Sequence, residues 1–485
     1  MQTHRHAPSN LLALAGLAML GMTLPVQAEA EWCMECVSVR VGPPQVLRGP
    51  FPDEVDAPFS ATRLANGQFR GFSANGVTYA IDGSSLKDMG GPRRAVLDAD
   101  APGSLAECGR WLTSAIRSGA SLVGMVHQER ICNYGPDGQT DKSMAIAISE
   151  DEGLSWTDLG TVITGRDAPQ PGRTTGEGDC TMVNGGDGYL YAYCLRNSDW
   201  QTIAARAPLD DLLDWRKYYD GGWDEPGLGG NATAIGFLGP GAGFMPEQDL
   251  VATVTPDPWF EGVRLAFSAD KVTFTDFPAP LLPIDGSDWE RPADTELIAY
   301  ASVLNPDDGS NSITSNFLLS YLYVPAGKGF ADRYLVMHDV SLALEDTPPP
   351  VQAGIALTRW SGPDVTSYVT STGPQTGDRA GYRPDRTLAY MLTQPASGIA
   401  SIKFAECSTS VSGRFDQRLA DDGSCETEGY DRERTAGWLF ALEQPGSVPL
   451  YRCQHPASGA HFVSDQADCE GLGTMKFLLG YGLAP

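Results

Sequence analysis

The chain has 485 residues, with 61 acidic and 34 basic side chains and a net charge of −27 at pH 7. Acidic surfaces of this kind repel phosphate backbones, so we expect no nucleic-acid partner. Gly and Pro supply 55 and 35 residues, a share that indicates a folded, turn-rich chain and excludes a disordered one.

The amino-terminal segment has the pattern of a secretory signal peptide. A basic stretch at 4–6 precedes an apolar run at 11–22, and the Val-Gln-Ala sequence at 26–28 suits cleavage. The apolar run is shorter than the roughly 20 residues that cross a bilayer, and no later segment is long and apolar enough. We therefore expect removal of residues 1–28, no membrane span, and a mature protein that is extracellular or periplasmic.

The ten cysteines fall into neighbouring pairs along the chain, a pattern typical of short-range disulfides in an oxidising compartment. No second Cys or His pair accompanies Cys33 and Cys36 at a suitable spacing, so we favour disulfides over a metal site. Other connectivities stay open from spacing alone. The expected pairs are Cys33/Cys36, Cys108/Cys132, Cys180/Cys194, Cys407/Cys425 and Cys453/Cys469.

Residues 29–345 show a repeating β pattern. Five β-rich strings recur at intervals of about 57 to 70 residues, and each follows another strand-like segment upstream. Units of several short strands with Gly and Asp turns predict an all-β fold, a five-bladed β-propeller. The strings are 78–81, 145–148, 202–205, 263–267 and 334–337, and the upstream segments, taken as the innermost strands, are 57–60, 110–113, 180–183, 232–235 and 297–300. Helical periodicity is largely confined to 209–218.

One turn motif supports the propeller. Residues 149–156 read Ser-Glu-Asp-Glu-Gly-Leu-Ser-Trp and fit the Asp box, Ser-x-Asp-x-Gly-x-x-Trp, of sialidase-type propellers. A degenerate second copy follows at 268–274. We expect Asp151 to hold its turn and Trp156 to pack into a blade, both as structural residues.

A second repeat follows three consecutive prolines at 348–350, which disfavour helix and central strand. We predict a linker at 346–353 and a three-repeat, β-trefoil-like domain at 354–485, with similar strings near 355, 402 and 449. Residues 450–462 resemble a little-characterised three-repeat module appended to secreted bacterial hydrolases. The resemblance implies carbohydrate binding, although the Gln-x-Trp signature of ricin-type trefoils is missing and a structural cap or cell-wall spacer stays open.

Three carboxylates precede or begin inner strands of the first, third and fifth units: Asp56, Asp179 and Glu296. Inner strands of a propeller surround a central funnel, so we expect equivalent positions to converge there. Glu177 competes for the role of Asp179. Glu290 and Asp294 compete for that of Glu296.

This pattern of blades and acids resembles the five-bladed glycoside hydrolases that include arabinanases, xylosidases and invertases, over roughly residues 50–345. The resemblance implies that Asp56 acts as base or nucleophile, that Glu296 acts as acid, and that Asp179 raises the pKa of Glu296. It implies a polysaccharide or oligosaccharide substrate without a cofactor. We expect no catalytic metal and a monomer, and a structural calcium ion stays open.

Sugar binding also needs aromatic and hydrogen-bonding side chains beside the acids. In this chain most such side chains would otherwise serve as packing within blades. The candidates are Phe59, Trp111, His127, Glu177, Trp289 and Arg291.

Three other functions stay open. A sialidase-like propeller enzyme needs three pocket arginines and a Tyr nucleophile, a lyase needs a Tyr or His base, and an adhesion protein needs only glycan binding. The Gly-x-Ser-x-Gly elbow, the His-Glu-x-x-His motif and a phosphate-binding glycine loop are absent from the sequence. Their absence argues against α/β-hydrolase, zincin and nucleotide-dependent chemistry.

Overall fold

The computed structural model describes residues 33–53, 55–135, 138–239, 241–257, 262–286, 288–363, 367–411 and 414–485. The predicted signal peptide lies outside them. Residues Glu35–Pro485 form one compact unit. The described part of the chain is all-β, with short 3-10 helices at Met34–Cys36, Phe330–Asp332, Gly377–Arg379, Glu426–Glu428 and Cys469–Gly471. None of its helices is long and apolar enough to cross a membrane.

Among the described residues up to Leu344 there are 24 strands. They are β1 (Val37–Val41), β2 (Gln45–Arg48), β3 (Ser60–Arg63), β4 (Phe69–Asn75), β5 (Val77–Gly83), β6 (Arg94–Leu97), β7 (Gly109–Ser118), β8 (Ser121–Asn133), β9 (Gln139–Ser149), β10 (Thr157–Thr164), β11 (Thr174–Asn184), β12 (Tyr189–Arg196), β13 (Gln201–Pro208), β14 (Arg216–Tyr219), β15 (Gly222–Pro226), β16 (Ala234–Gly236), β17 (Gly241–Met245), β18 (Leu250–Asp257), β19 (Gly262–Ser268), β20 (Thr275–Asp276), β21 (Leu282–Pro283), β22 (Leu297–Leu304), β23 (Asn316–Val324) and β24 (Tyr334–Leu344).

These strands form five antiparallel groups, namely β3–β6, β7–β10, β11–β16, β17–β21 and β22–β24. The first strands of the groups contact one another in a closed ring, in the order β3, β7, β11, β17, β22 and back to β3. Strands β1 and β2 from the amino-terminal side pair with β24 and complete the last group. The arrangement is consistent with a propeller-like fold.

All five predicted β-rich strings are third strands of their groups, within β5, β9, β13, β19 and β24. The prediction of 232–235 as an inner strand was wrong, because β16 pairs with β13 at the edge of the third group. The true first strand of the fourth group is β17, which begins at Gly241. A Cβ at residue 241 would lie 2.1 Å from the backbone oxygen of Ala301, so the close approach of strands selects a glycine-rich sequence that reads as a turn.

The segment 209–218, with its helical periodicity, folds instead as turns followed by β14. Asp211 accepts a hydrogen bond from the backbone N–H of Leu213 at 3.2 Å. Such local side-chain bonds compete with helix formation.

The Asp box forms a tight turn on the outer side of the second group. Asp151 accepts hydrogen bonds from the backbone N–H groups of Leu154 (3.1 Å) and Ser155 (2.8 Å) and from the Ser149 hydroxyl (2.8 Å). Trp156 packs edge-on against Phe72 of the first group, with ring centroids 5.7 Å apart. The turn therefore joins neighbouring groups.

The degenerate copy forms a similar turn. Asp270 accepts from the Ser268 hydroxyl at 2.9 Å and from the Thr273 N–H at 2.6 Å. Phe274 takes the place of the tryptophan and packs against Tyr193, with ring centroids 5.6 Å apart.

The carboxyl-terminal part contains three units of three strands each. The strands are β25 (Ala353–Ser361), β26 (Tyr368–Ser371), β27 (Arg383–Leu392), β28 (Ser401–Val411), β29 (Arg414–Asp421), β30 (Asp431–Phe440), β31 (Ser447–Gln454), β32 (His461–Ser464) and β33 (Thr474–Leu483). In each unit the first strand pairs antiparallel with the second and the third. The third strands also pair with one another, which closes the three units around a common centre.

Backbone pairing and ion pairs join the two parts. Strand β1 lies between β24, to which it is antiparallel, and β25, to which it is parallel. Asp285 accepts from the Arg432 guanidinium (2.6 and 3.1 Å) and from the Thr435 N–H (2.9 Å). The pairing of β1 with β25 ties the five strand groups to the first carboxyl-terminal unit, and the Asp285 contacts tie them to the second.

Disulfide bonds connect Cys108–Cys132, Cys180–Cys194, Cys407–Cys425 and Cys453–Cys469, and Cys33 and Cys36 are also disulfide-bonded. The Cys180–Cys194 bridge joins neighbouring strands β11 and β12 within a buried apolar cluster.

We predict that Asp151→Ala lowers the free energy of unfolding by about 0.5–1.5 kcal/mol, because the Leu154 and Ser155 N–H groups of the Asp-box turn, which are solvent-exposed, lose their hydrogen bonds to the carboxylate. Chemical denaturation measures the change, with Glu150→Ala, an exposed neighbour, as the matched control. Catalytic parameters should stay at the wild-type level. Equal stability of the two variants would contradict the role of Asp151 in holding the turn.

Candidate active site

A cavity of about 570 Å³ receives side chains from the first, second, third and fifth strand groups. Its polar residues include three carboxylates, Asp56, Glu129 and Asp179, and the cations Lys142 and Arg333. Trp111, Trp289, Tyr300 and Phe330 supply aromatic walls. The cavity combines ionisable groups with rings, as binding sites for polar organic ligands do.

Asp179 lies inside β11 at a bulge, where the pairing with β12 shifts between Gly178 and Thr181. Its φ of 53° is left-handed, a conformation that costs free energy in a residue other than glycine and often marks a functional site. The bulge turns the carboxyl group into the cavity. There Oδ2 accepts a hydrogen bond from Lys142 Nζ at 3.0 Å.

His127 is fixed in one tautomer by its two hydrogen bonds. Its Nδ1 accepts the backbone N–H of Asp179 at 2.9 Å, so that nitrogen carries no proton. The proton must then reside on Nε2, which lies 3.0 Å from Oε1 of Glu129 and donates to it. A Cβ at Gly178 would lie 2.7 Å from the imidazole ring, so the glycine permits this close contact.

Glu129 is held by three donors. His127 binds Oε1, Lys142 Nζ lies 3.5 Å from the same oxygen, and the Tyr134 hydroxyl donates to Oε2 at 2.6 Å. Burial raises the pKa of Glu129, but the opposing charge of Lys142 and the bonds from His127 and Tyr134 lower it well below its usual range. Glu129 is thus ionised throughout the physiological pH range.

Lys142 sits between Glu129 and Asp179. Burial lowers the pKa of its ammonium group, yet the two neighbouring carboxylates outweigh burial and raise that pKa. Burial raises the pKa of Asp179, whereas the charge of Lys142 and its hydrogen bond lower it, and the net pKa is lowered. One buried cation therefore keeps both carboxylates ionised.

Asp56 differs from Glu129 and Asp179, because the pKa of its carboxyl group is raised rather than lowered. Burial raises the pKa of its carboxyl group to about 6, despite the ion pair of Oδ1 with Arg333 Nη1 at 2.7 Å. The side chain remains 31% exposed, so it reaches the cavity solvent. Its backbone N–H is fixed by the carbonyl of Ala74 at 2.7 Å. Asp56 is the carboxyl group of this cavity that can hold a proton in mildly acidic solution.

The aromatic walls differ in exposure. Trp111 is 7% exposed and packs edge-on against the His127 ring. Trp289 is 43% exposed, and its neighbours are Tyr300 and Phe330, with ring centroids 5.9 and 6.3 Å away. The Trp289 ring is therefore accessible to a ligand, whereas Trp111 is buried in the cavity wall.

The structure brings together five of the residues named from sequence: Asp56, Trp111, His127, Asp179 and Trp289. It places four others, namely Phe59, Glu177, Arg291 and Glu296, elsewhere. Phe59 belongs to a buried apolar cluster, and Glu177 pairs with the buried Lys217 at 2.7 Å. Arg291 donates to the carbonyl groups of Thr295, Pro325 and Lys328 and so fixes a loop.

Glu296 does not line the cavity. It is 2% exposed, directly precedes β22, and lies 3.3 Å from Arg434 Nη2 in the carboxyl-terminal part. Tyr300 enters the cavity from the same strand, at a bulge with a left-handed φ of 50°. The side chains that reach the cavity from β11 and β22 lie at bulges inside these strands. The prediction compared residues at the beginnings of strands and therefore chose Glu296 instead of Tyr300 in the fifth group.

Sequence reasoning missed Glu129, Lys142, Tyr300 and Arg333. His127 and Glu129 are two residues apart in β8 and therefore share a face, a signal that could have identified Glu129. Lys142 and Arg333 carry no local pattern. They come to the cavity through the pairing of β9 with β8 and β11 and through the closure of the ring.

No protein-family model matches the sequence, and neither does any curated protein. Solved structures similar to this chain include an α-L-arabinofuranosidase from Lactobacillus brevis (11% identity, 58% of this chain and 90% of that chain, TM-score 0.40). A family 117 glycoside hydrolase from Zobellia galactanivorans (11%, 65% and 93%, 0.40) and a β-xylosidase (11%, 61% and 94%, 0.40) are also similar.

We predict that Lys142→Met lowers the free energy of unfolding at pH 7 by roughly 3–5 kcal/mol, since it leaves two buried carboxylates without their cation. In the wild type, the lowered pKa values of Glu129 and Asp179 contribute stability above pH about 4 that is lost as the pH falls. The deficit of the variant should therefore shrink on acidification.

Urea denaturation at pH 7 and pH 3 measures this difference, with Lys476→Met, an exposed lysine, as the control. A deficit that is independent of pH would show that Lys142 stabilises the fold by packing alone.

Proposed function

We propose that the protein is a secreted glycoside hydrolase whose five-bladed propeller carries the active site in the 570 Å³ cavity. The main support is that two carboxyl groups lining one cavity have pKa values shifted in opposite directions. The pKa of Asp56 is raised to about 6 and that of Asp179 is lowered. Hydrolysis of a glycosidic bond needs one protonated and one ionised carboxyl group. Environments that push two pKa values apart are how proteins make such pairs.

In this proposal Asp56 is the general acid. Arg333 holds Oδ1, which leaves Oδ2 to carry the proton toward the glycosidic oxygen. Asp179 is the base or nucleophile, because Lys142 binds Oδ2 while no hydrogen bond among the described residues reaches Oδ1. His127 Nδ1 lies 3.5 Å from that oxygen but has no proton to donate. The roles differ from those that the family resemblance implies, in which Asp56 is the base and Glu296 the acid.

Glu129, His127 and Lys142 act as positioning residues in the proposal. Both oxygens of Glu129 are taken by donors, so it fixes the imidazole and balances the charge of Lys142. Trp289 supplies an exposed ring on which an apolar sugar face can stack.

The domain assignment extends the proposal. The ring of first strands supports five blades, and three repeated strand triplets support a three-repeat, trefoil-like domain at 354–485. We propose that this second domain binds carbohydrate. The disulfides support export by a signal peptide at 1–28 and a secreted location. We propose a monomer without a cofactor.

The alternatives fit this cavity less well. A sialidase-like site needs three arginines, whereas the described residues that line the cavity include one, Arg333. A lyase needs a tyrosine or histidine base, but burial raises the pKa of Tyr300 and of Tyr134. Both ring nitrogens of His127 are already engaged, by the Asp179 N–H and by Glu129. The activity test described next distinguishes the hydrolase from a protein that binds glycans without cleaving them.

We predict that Asp56→Asn and Asp179→Asn each lower kcat by roughly 10²–10⁴-fold, the usual contribution of general acid–base catalysis. Reducing-sugar release from plant, fungal and bacterial polysaccharides measures activity, with aryl arabinofuranosides, xylosides, galactosides and mannosides as small substrates. Asp294→Asn, an exposed carboxylate outside the cavity, is the matched control. Binding of a glycan without hydrolysis by the wild type would favour an adhesion protein.

We predict that kcat/KM falls as the pH rises through about 6, because Asp56 must be protonated to act as acid. Asp56→Glu should keep a descending limb at a shifted pH, and any residual activity of Asp56→Asn should lose it. A pH–rate profile measures both. Activity that falls instead as the pH drops below 6 would assign Asp56 as the base.

A further inference from the structure

A second cavity, of about 310 Å³, lies between the fifth strand group and the carboxyl-terminal units. Tyr323, Lys328, Asp332 and Tyr334 line one side. The other side is formed by the segment 373–379, except for Gln375, and by side chains of β28–β30, among them Glu406, Phe415, Glu433 and Arg434. The volume is at the lower end of the range for small-molecule sites.

Arg434 is the central donor of this cavity. It is 5% exposed, and its Nε and Nη1 have no hydrogen-bond partner within the described ranges. Only Nη2 is engaged there by an ion pair, with Glu296 Oε1 at 3.3 Å. Both atoms are closed off from solvent, and a buried donor left unpaired costs free energy.

The surrounding groups are already fixed. Glu406 accepts from the Ser371 hydroxyl at 2.7 Å and from the Thr372 N–H at 2.8 Å. Arg379 donates to Glu433 at 3.0 Å and lies 5.4 Å from the centre of the Phe415 ring. Pre-ordered polar groups of this kind reduce the entropy lost on binding.

The three units of the carboxyl-terminal part differ at this position. By strand register, Arg386, Arg434 and Phe477 stand opposite residues 359, 406 and 452 of their own first strands. Arg386 donates to Asp465 and to Glu470 of the third unit. Arg434 instead faces a cavity whose second wall comes from the fifth strand group. The junction thus keeps open a position that, in the first unit, is closed by carboxylates of the third unit.

We propose that this cavity binds one or two units of a neutral saccharide, at a site separate from the candidate active site. Arg434, Arg379 and Lys328 supply donors, and Glu406, Glu433 and Asp332 supply acceptors, which suits hydroxyl groups that donate and accept. Phe415 and Tyr334 supply apolar surface for a sugar face. With Asp378 the cavity lining carries four carboxylates against three cations, a surplus that disfavours an anionic ligand. The choice of a saccharide rests on the proposed function.

Calorimetric titration tests the site in the Asp56→Asn background, which prevents turnover. The probes are arabinotriose, xylotriose, galactotriose and mannotriose at millimolar concentrations. Ser410→Trp fills the mouth of the cavity from an exposed position, and Thr474→Trp places the same side chain on an exposed strand elsewhere. Phe415→Ala is a second cavity variant, and thermal melting shows that each variant folds.

We expect two binding sites for at least one trisaccharide, of which Ser410→Trp removes one or weakens it more than 10-fold while Thr474→Trp leaves both. A single site that Ser410→Trp abolishes and Trp289→Ala preserves would support the inference even if the proposed hydrolase activity fails. A single site that only Trp289→Ala abolishes would overturn it. Absence of binding by all four probes would also overturn it, whatever the activity assays show.

Discussion

The candidate active site depends on one buried cation. Lys142 places its ammonium group 3.0 Å from Asp179 and 3.5 Å from Glu129, where its charge lowers the pKa of both carboxyl groups. Two like charges in a partly dry cavity repel strongly, and loss of water disfavours each of them. The lysine reverses both effects, so Asp179 remains an anion while Asp56, paired at the far side with Arg333, can take a proton.

The backbone brings this cation into place. Lys142 lies on β9, which pairs antiparallel with β8, the strand of His127 and Glu129. The start of β11 runs parallel to β9 over residues 174–176, and the bulge that follows turns Asp179 toward Lys142. Gly178 completes the arrangement, since any side chain there would collide with the imidazole and with the Cβ of Lys142. The charges of the site are thus an outcome of strand register.

Much of the strand repeat could be predicted from the sequence. Segments such as 145–148 and 263–267 are short and rich in the strand-forming side chains Ile, Val and Phe, a local pattern that needs no tertiary information. Asp56 and Asp179 could be found because they lie beside such strings. Gly241 could not, since its strand is selected by close contact with the carbonyl of Ala301.

Long-range pairs escaped the sequence for a different reason. Arg333 and Asp56 are far apart in the chain and meet only when the ring of strands closes. Glu296 looked equivalent to the other acids by its place before a strand, yet Arg434 and the carboxyl-terminal units cover it. A pattern of residue types does not show which surface a later segment will bury.

The sequence by itself determined the all-β character, the repeated units and their turns, because these follow from short-range alternation, turn residues and the Asp box. Tertiary structure alone decided which carboxylates share a cavity and which of them keeps a proton. Proton affinity is set by burial and by charges within a few ångströms. Those neighbours, Lys142 for Asp179 and Arg333 for Asp56, come from other strands of the folded chain.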